Sequence, residues 1–271
     1  VRQAGIISII LIVALAASGV LLFSGKKAVK KENVISEKVV LDEIGKFSFE
    51  NPEELGYWEE RALAARKTAY SPAEFMGKKA VKAASENSAS ILLLRQVLSQ
   101  EKNPYLAWDW VVEKFPEHKT EEVLDDKKEF DFGAQFYVVF GAKFFLNAKA
   151  IQYVWTETLP AGTIADSPYT SNVKILVLES GRSEGWKHEE RDIIKDYEML
   201  FGKEPTDGIA GIGFMTDADS TKSTASAYYA DIRFGFKSME RVYEEKESVE
   251  VERPAIVSWL MDRFSWKNKQ K

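Results

Sequence analysis

Asp217, Asp219 and Thr221 offer three hard oxygens at alternating positions directly after an apolar run, Ile209 to Thr216. Two kinds of chemistry use such a triplet. In a D-x-D-x-T phosphatase, Asp217 would attack phosphorus and Asp219 would act as acid and base beside magnesium. Those enzymes carry the motif near the start of an α/β domain and draw on later Ser/Thr, Lys and acidic motifs. Here only 50 residues follow Thr221. The second chemistry is cation binding, since calcium prefers carboxylate and hydroxyl oxygens, and Asp231 on the next strand could complete a looser set. An EF-hand is excluded, because Lys222 stands in place of the turn glycine and Tyr228 in place of the closing glutamate. Asp217 and Asp219 are therefore candidate ligands of a structural calcium, weighed against turn-forming carboxylates that accept hydrogen bonds from local amides.

Gly181-Arg182-Ser183-Glu184-Gly185 matches G-x-S-x-G and stands between an expected strand and an expected helix, the setting of a nucleophile elbow. The serine needs a histidine base placed after it in the chain. The two histidines are His118, which precedes it, and His188, five residues on at the start of the same expected helix. We read the motif as a glycine turn, with an unactivated serine. The third signal is aromatic: Trp108, Trp110, Tyr137, Tyr153, Trp155, Trp186, Tyr228 and Tyr229 fall on expected strands or at their ends. Such rings stack on sugars when exposed, and fill cores when their polar atom finds a partner. Trp110, Trp155, Tyr229 and Asp231 are the candidate ligand-binding residues.

The elements that would position these groups are strands. Period-two alternation rich in aromatic and β-branched residues predicts Lys79 to Ala84, Ser88 to Leu98, Tyr105 to Lys114, Asp131 to Gly141, Ala150 to Thr156, Asn172 to Glu179, Gly208 to Thr216 and Ala225 to Phe236. In the fourth, Phe132, Ala134, Phe136, Val138 and Phe140 share the core face. Asp131, Gly133, Gln135, Tyr137 and Val139 share the other. Gly211 and Gly213 leave one face of the seventh open to a close neighbour. One internal helix is predicted at Lys187 to Phe201, with Gly202 as its C-cap. The Pro116 to Glu129 stretch reads as a solvated loop.

The ends differ from this middle. Residues 3–25 carry no charge and span roughly 34 Å as a helix at about 1.5 Å per residue, enough to cross a bilayer. Residues 1–25 are thus a transmembrane anchor or a signal peptide, and 26–46 a charged linker. Lys26, Lys27, Lys30 and Lys31 outnumber Arg2 across the span, which by positive-inside counting places the domain in the cytoplasm. Residues 47–238 form the β-domain, and 239–271 a charged connector with an amphipathic helix from Pro254 to Trp266. That helix suits packing on its own domain or a membrane surface.

Composition bounds the rest. The 271 residues are 45% hydrophobic and 29% charged, which fits a globular core. A net charge of −5 gives no reason to expect nucleic acid as a partner. With no cysteine, thiolate metal sites and thiol nucleophiles are excluded.

An ordered series of short stretches adds a resemblance. It runs Gly56-Tyr57-Trp58-Glu59-Glu60, Leu106-Ala107-Trp108-Asp109-Trp110, Asp126, Phe136-Tyr137-Val138-Val139-Phe140 and Ile151-Gln152-Tyr153-Val154-Trp155. It continues with Ser180-Gly181, Gly185-Trp186, Glu190-Arg191-Asp192, Asp196-Tyr197, Phe201-Gly202, Met215-Thr216-Asp217-Ala218-Asp219 and Tyr228-Tyr229-Ala230-Asp231-Ile232. From Leu55 to Phe234 the chain resembles a bacterial family of domains of unknown function, family 3047, which looks like the jelly-roll sandwiches of carbohydrate-binding modules. The resemblance implies an envelope-associated domain outside the cytoplasm and marks Trp110, Trp155, Asp217, Asp219 and Asp231 as family-like positions without chemistry. The expectation is an all-β, two-sheet jelly-roll-like sandwich with one internal helix, an N-terminal transmembrane or signal helix and a C-terminal amphipathic helix. Its function is expected to be non-catalytic binding of a glycan or other envelope component, tethered to the membrane and periplasmic. The alternatives are an assembly partner of the envelope or a hydrolase using Asp217, Asp219 and Asp231.

Overall fold

Alternation of apolar and polar residues decides most of the strands, and the structure, a computed structural model, describes residues 27–141 and 148–251. Thirteen strands occur among them: β1 (Lys27–Phe47), β2 (Glu59–Ala62), β3 (Ala69–Phe75), β4 (Lys78–Glu86), β5 (Ser90–Leu98), β6 (Pro104–Lys114), β7 (Ala134–Phe140), β8 (Lys149–Thr156), β9 (Ile164–Ser167), β10 (Thr170–Ser180), β11 (Lys187–Asp192), β12 (Ile209–Met215) and β13 (Thr224–Val251). They build two sheets. The first has the order β11-β6-β13-β4-β3 with β1 on β13, and the second the order β2-β5-β12-β7-β8-β10-β9. All the pairings whose register is described are antiparallel except β8 with β10.

The chain divides into two units, Val39–Met239 and a second made of Val1–Lys38 with Glu240–Lys271. In the second, the described backbone is the outer part of β1 and of β13. The first holds the sandwich core, where inward residues of both sheets meet: Trp108 of β6 stacks on Phe136 of β7 with ring centroids 4.5 Å apart. Truncating a fully buried ring such as Trp108 to alanine costs about 3–5 kcal/mol, so these pairs hold the two sheets together. The alternation falls as expected within β7, with Ala134, Phe136, Val138 and Phe140 in the core, but the strand starts at Ala134, and Phe132, expected on the same face, precedes it and packs with Val154, Ile175 and Val177 instead. Gly213 on β12 is required by close approach: a Cβ there would stand 2.7 Å from Leu93 Cδ2 and 2.8 Å from the Leu92 carbonyl.

Several expectations are corrected. The helix is shorter, α1 (Ile193–Phe201), because no residue from Lys187 to Asp192 is apolar and the helical apolar spacing begins only at Ile193. Lys187–Asp192 instead pairs along β6 as an edge strand. Asp192 caps α1 by accepting from Lys195 N at 3.3 Å, and Gly202 ends it at φ 69°. The charged linker is strand β1, and much of the charged connector is the end of β13. Both carry β-branched residues between charges, a composition suited to edge strands. The Pro116 to Glu129 stretch is indeed without regular structure, yet Leu124, Glu122 and Glu129 are buried. Leu124, with Phe130 and Phe132 beyond it, packs on Val154, Ile175 and Val177, so this loop covers part of the second sheet's outer face.

Among the described residues no helix is long and apolar enough to cross a membrane. The 1–25 span and the Pro254 to Trp266 helix lie outside the described residues.

Candidate functional site

The polar face of β7 sets the site. Because Phe136 and Val138 point inward, Gln135 and Tyr137 point outward, beside Met215 at the end of β12 and Gln152 on β8. The chain leaves β12 at Thr216, and Asp217 then turns back over this face. Asp217 Oδ1 accepts from Phe132 N at 3.0 Å and from Gln135 Nε2 at 2.6 Å. Gln135 Oε1 in turn accepts from Tyr137 Oη and Gln152 Nε2, both at 2.8 Å. Four side chains on three elements are thereby held in one network.

Asp131 joins from the covering loop. Its Oδ2 accepts from Thr221 N at 2.6 Å and Thr221 Oγ1 at 2.7 Å, and its Oδ1 from Ser220 N at 3.2 Å. Oxygens of Asp131, Asp217 and Asp219 lie within 4.8 Å of one another, close enough to hold a metal ion. Burial pushes the Asp217 carboxyl well above the ordinary aspartate range, and the Asp131 charge pushes it the same way. Asp219, half-exposed, is raised by the same two causes in the same order. The pair expected from the sequence is thus brought together, and Thr221 serves Asp131 as a hydrogen-bond donor. In the sequence Asp131 was visible only as a polar residue at the start of the expected Asp131 to Gly141 strand, of which the structure forms Ala134–Phe140.

A cleft of about 340 Å³ opens beside these carboxylates. Tyr137, Gln152, Asp217 and Asp219 line it together with Phe130 and Tyr169. Tyr169 is 59% exposed and stands edge-on to Phe130, with ring centroids 5.6 Å apart and Lys127 Nζ 5.0 Å from its own ring centroid, so a ligand stacking on the ring at the rim meets this lysine or takes the opposite face. Sequence reasoning missed Tyr169, which precedes its strand by one residue and carries no alternation.

The other candidates are placed elsewhere. Trp110, Trp155 and Tyr229 are fully buried, which corrects their reading as ligand-binding rings. Trp110 packs on Trp155 at 5.8 Å and donates to Glu189 Oε1 at 3.3 Å, while Trp155 donates to the Gly181 carbonyl at 2.8 Å. Their polar atoms are satisfied internally, and no ring face is left for a sugar. Tyr229 supports the site from beneath: its hydroxyl accepts from Gln135 N at 3.1 Å and donates to the Met215 carbonyl. Asp231 is not with Asp217. It sits at a β-bulge on β13 at φ 46°, 3.0 Å from Lys78 Nζ, on the first sheet. An Asp217, Asp219 and Asp231 hydrolase centre is therefore not assembled.

Ser183 behaves as a turn residue. Its Oγ donates to the Gly185 carbonyl at 2.9 Å, and Gly181 takes φ 76°. Ser183 and His118 line one larger cleft of about 800 Å³, but both nitrogens of His118 face carboxylates. His188 Nδ1 lies 2.6 Å from Asp109 Oδ1 on the first sheet.

One comparison decides the family. The model of the family described as "Protein of unknown function (DUF3047)" matches residues 56–233. The chain belongs to that family. No curated protein matches it. Among solved structures, the chain is similar to the family 11 carbohydrate-binding module of the Clostridium thermocellum cellulase Lic26A-Cel5E, at 10% identity over 75% of this chain and 96% of that one, with a TM-score of 0.36. It is similar to the endoglucanase Cel12A of Rhodothermus marinus at 8% identity over 70% and 98%, with a TM-score of 0.39. A family 12 xyloglucanase of Bacillus licheniformis matches at 8% identity over 76% and 100%, with a TM-score of 0.36. At these identities and scores no residue role or ligand passes from those proteins to this DUF3047 member.

Proposed function

We propose that this DUF3047 member is a non-catalytic, membrane-tethered sandwich that binds a glycan in the cleft beside Asp217. The single observation that carries the reading is the exposed ring of Tyr169 set in one cleft with the amide of Gln152 and the carboxylates of Asp217 and Asp219. An aromatic face stacks on the C–H face of a sugar, while amides and carboxylates exchange hydrogen bonds with its hydroxyls. The volume lies within the range of about 300–1,000 Å³ usual for small-ligand sites. A calcium ion among Asp131, Asp217 and Asp219 would neutralise three crowded carboxylates with the hard oxygens it prefers, and would fix the cleft wall.

The tether is the uncharged span of residues 3–25, and the domain lies outside the cytoplasm, a placement that rests on the envelope association the resemblance implies and goes against the lysine count after the span. A reporter fused after Lys271 tests this. Active alkaline phosphatase with dark green fluorescent protein is expected, and the converse would contradict the orientation. Binding is tested by a glycan array probed with the full chain, where selective retention is expected and uniform background would count against the reading.

A further inference from the structure

The larger cleft, of about 800 Å³, holds an arrangement independent of the glycan reading. His118 on its wall is only 7% exposed, and neither ring nitrogen has a hydrogen-bond partner. A buried imidazole left unpaired on both sides is costly, since each nitrogen has given up its hydrogen bond to water without gaining another. Both nitrogens nevertheless face carboxylates: Nε2 lies 3.7 Å from Glu122 Oε1, and Nδ1 lies 3.4 Å from Glu129 Oε2.

The two carboxylates are fixed in position. Glu122 accepts from Glu157 N at 3.2 Å, Thr158 N at 2.7 Å and Thr158 Oγ1 at 2.8 Å, and Glu129 Oε2 accepts from Lys119 N at 3.0 Å. The 3.7 Å gap between Nε2 and Oε1 is too long for a hydrogen bond. It is close to the roughly 3.4 Å that separates two donors bound about 2.0–2.2 Å from one tetrahedral zinc ion. On the far side of the ring, Glu129 Oε2 stands 3.4 Å from Nδ1, the side on which a ligating histidine turns its second nitrogen to a carboxylate; the ring must move toward Glu129 by a few tenths of an ångström to close that hydrogen bond.

We propose that His118 Nε2 and Glu122 Oε1 bind a divalent transition-metal ion of the zinc type at the wall of this cleft, with Glu129 as the positioning residue for the imidazole. Two protein donors leave the remaining positions facing the cleft, where water completes the shell and the ion exchanges. An imidazole nitrogen with one carboxylate oxygen favours zinc, nickel or cobalt over calcium and magnesium, which take oxygen ligands. Of the other carboxylates lining the cleft, Glu113, Glu117 and Glu157 are paired with Lys82, Lys114 and Arg182, which leaves Glu121 as further negative charge toward a cation.

The test is a titration of the full chain with zinc chloride in competition with a chromophoric chelator, alongside nitrogen NMR of the two imidazoles. We expect one zinc per chain, with affinity at least about 10-fold weaker in His118→Gln and about 10-fold weaker in Glu129→Gln. In the unmodified chain, zinc is expected to move the Nε2 resonance of His118 and leave that of His188 in place, a reading that stands even if a variant fails to fold. Zinc affinity that survives His118→Gln, or is abolished by Asp217→Asn, would overturn the proposal. An unmoved His118 resonance at saturating zinc would overturn it too.

Discussion

Two carboxylate clusters stand on the outer faces of the two sheets, and they are neutralised in opposite ways. On the first sheet, Lys78 Nζ pairs with Asp109 and lies 3.0 Å from Asp231, and His188 caps the other oxygen of Asp109. The cation is supplied by the chain itself, and the ion pairs hold Lys78 charged above its ordinary range against the cost of its partial burial. On the second sheet, what acts on Asp217 is burial, the charges of Asp131 and Asp219, and the donors Phe132 N and Gln135; no cation is among them. The first cluster is complete as folded, whereas the second becomes comfortable only when a proton, a cation or a ligand's hydroxyls arrive. Carboxylates with their own lysine report on stability, and carboxylates without one report on binding.

The largest effect is expected from removing the supplied cation. Lys78→Ala leaves Asp109 buried beside a half-exposed gap, and should lower stability by about 1–3 kcal/mol, a buried-pair loss discounted for the exposure of Lys78. A shift of the urea midpoint at constant m-value checks it, and an unchanged midpoint would break the contrast. Calcium should act on the other cluster alone. At about 100 times its dissociation constant it should stabilise the unmodified chain by about 2.7 kcal/mol and leave Asp217→Asn unmoved in thermal unfolding.

The pH dependence sharpens the same contrast. The folded protein keeps a proton on Asp217 where the unfolded chain, titrating near 3.8, has lost it. In that window the native state binds more protons, so stability falls as pH rises from about 4 toward the raised value. Asp217→Asn should flatten this part of the profile. Burial beside Glu179 pushes Glu189, under Trp110, up to about 7, so it adds a fall of the same sign between 4.5 and about 7. Glu189→Gln should remove that second segment and keep the first. Lys78 itself contributes nothing there, because a raised lysine loses its contribution only as pH climbs above 10.5.

Much of the fold was legible because its central strands are apolar and aromatic-rich along their length, β6 and β8 being buried on both faces. In β7 the alternation of Phe136 and Val138 with Gln135 and Tyr137 places each residue on its face, and in β8 Ile151, Tyr153 and Trp155 alternate with Gln152 and Val154. The edge strands β1, β2, β3, β9 and β11 were not legible, since they bury little and carry no alternation to read. The candidate site was half legible: Asp217 and Asp219 announced themselves by spacing, whereas Asp131 and Tyr169 arrive from distant loops. The aromatic signal misled for a physical reason. Trp110, Trp155 and Tyr229 satisfy their polar atoms against Glu189, Gly181 and Met215, which lets rings of this size disappear into the core.

The smallest predicted effect concerns the G-x-S-x-G turn. Ser183→Ala should stay within about ±0.5 kcal/mol, and Gly181→Ala should cost about 1 kcal/mol or more, because φ 76° suits glycine and strains a Cβ. Equal urea midpoints for the two would contradict the turn reading.

The central claim, that ligand binding belongs to the cleft beside Asp217, is tested most directly by calorimetric titration with a glycan selected on the array. The unmodified chain is compared with Tyr169→Ala and with Trp186→Ala, the latter altering a partly exposed ring on the other sheet beside Lys78. The account predicts at least about 10-fold weaker binding for Tyr169→Ala, equivalent to about 1.4 kcal/mol, and unchanged binding for Trp186→Ala. The reverse pattern, with Trp186→Ala abolishing binding and Tyr169→Ala retaining it, would contradict the account.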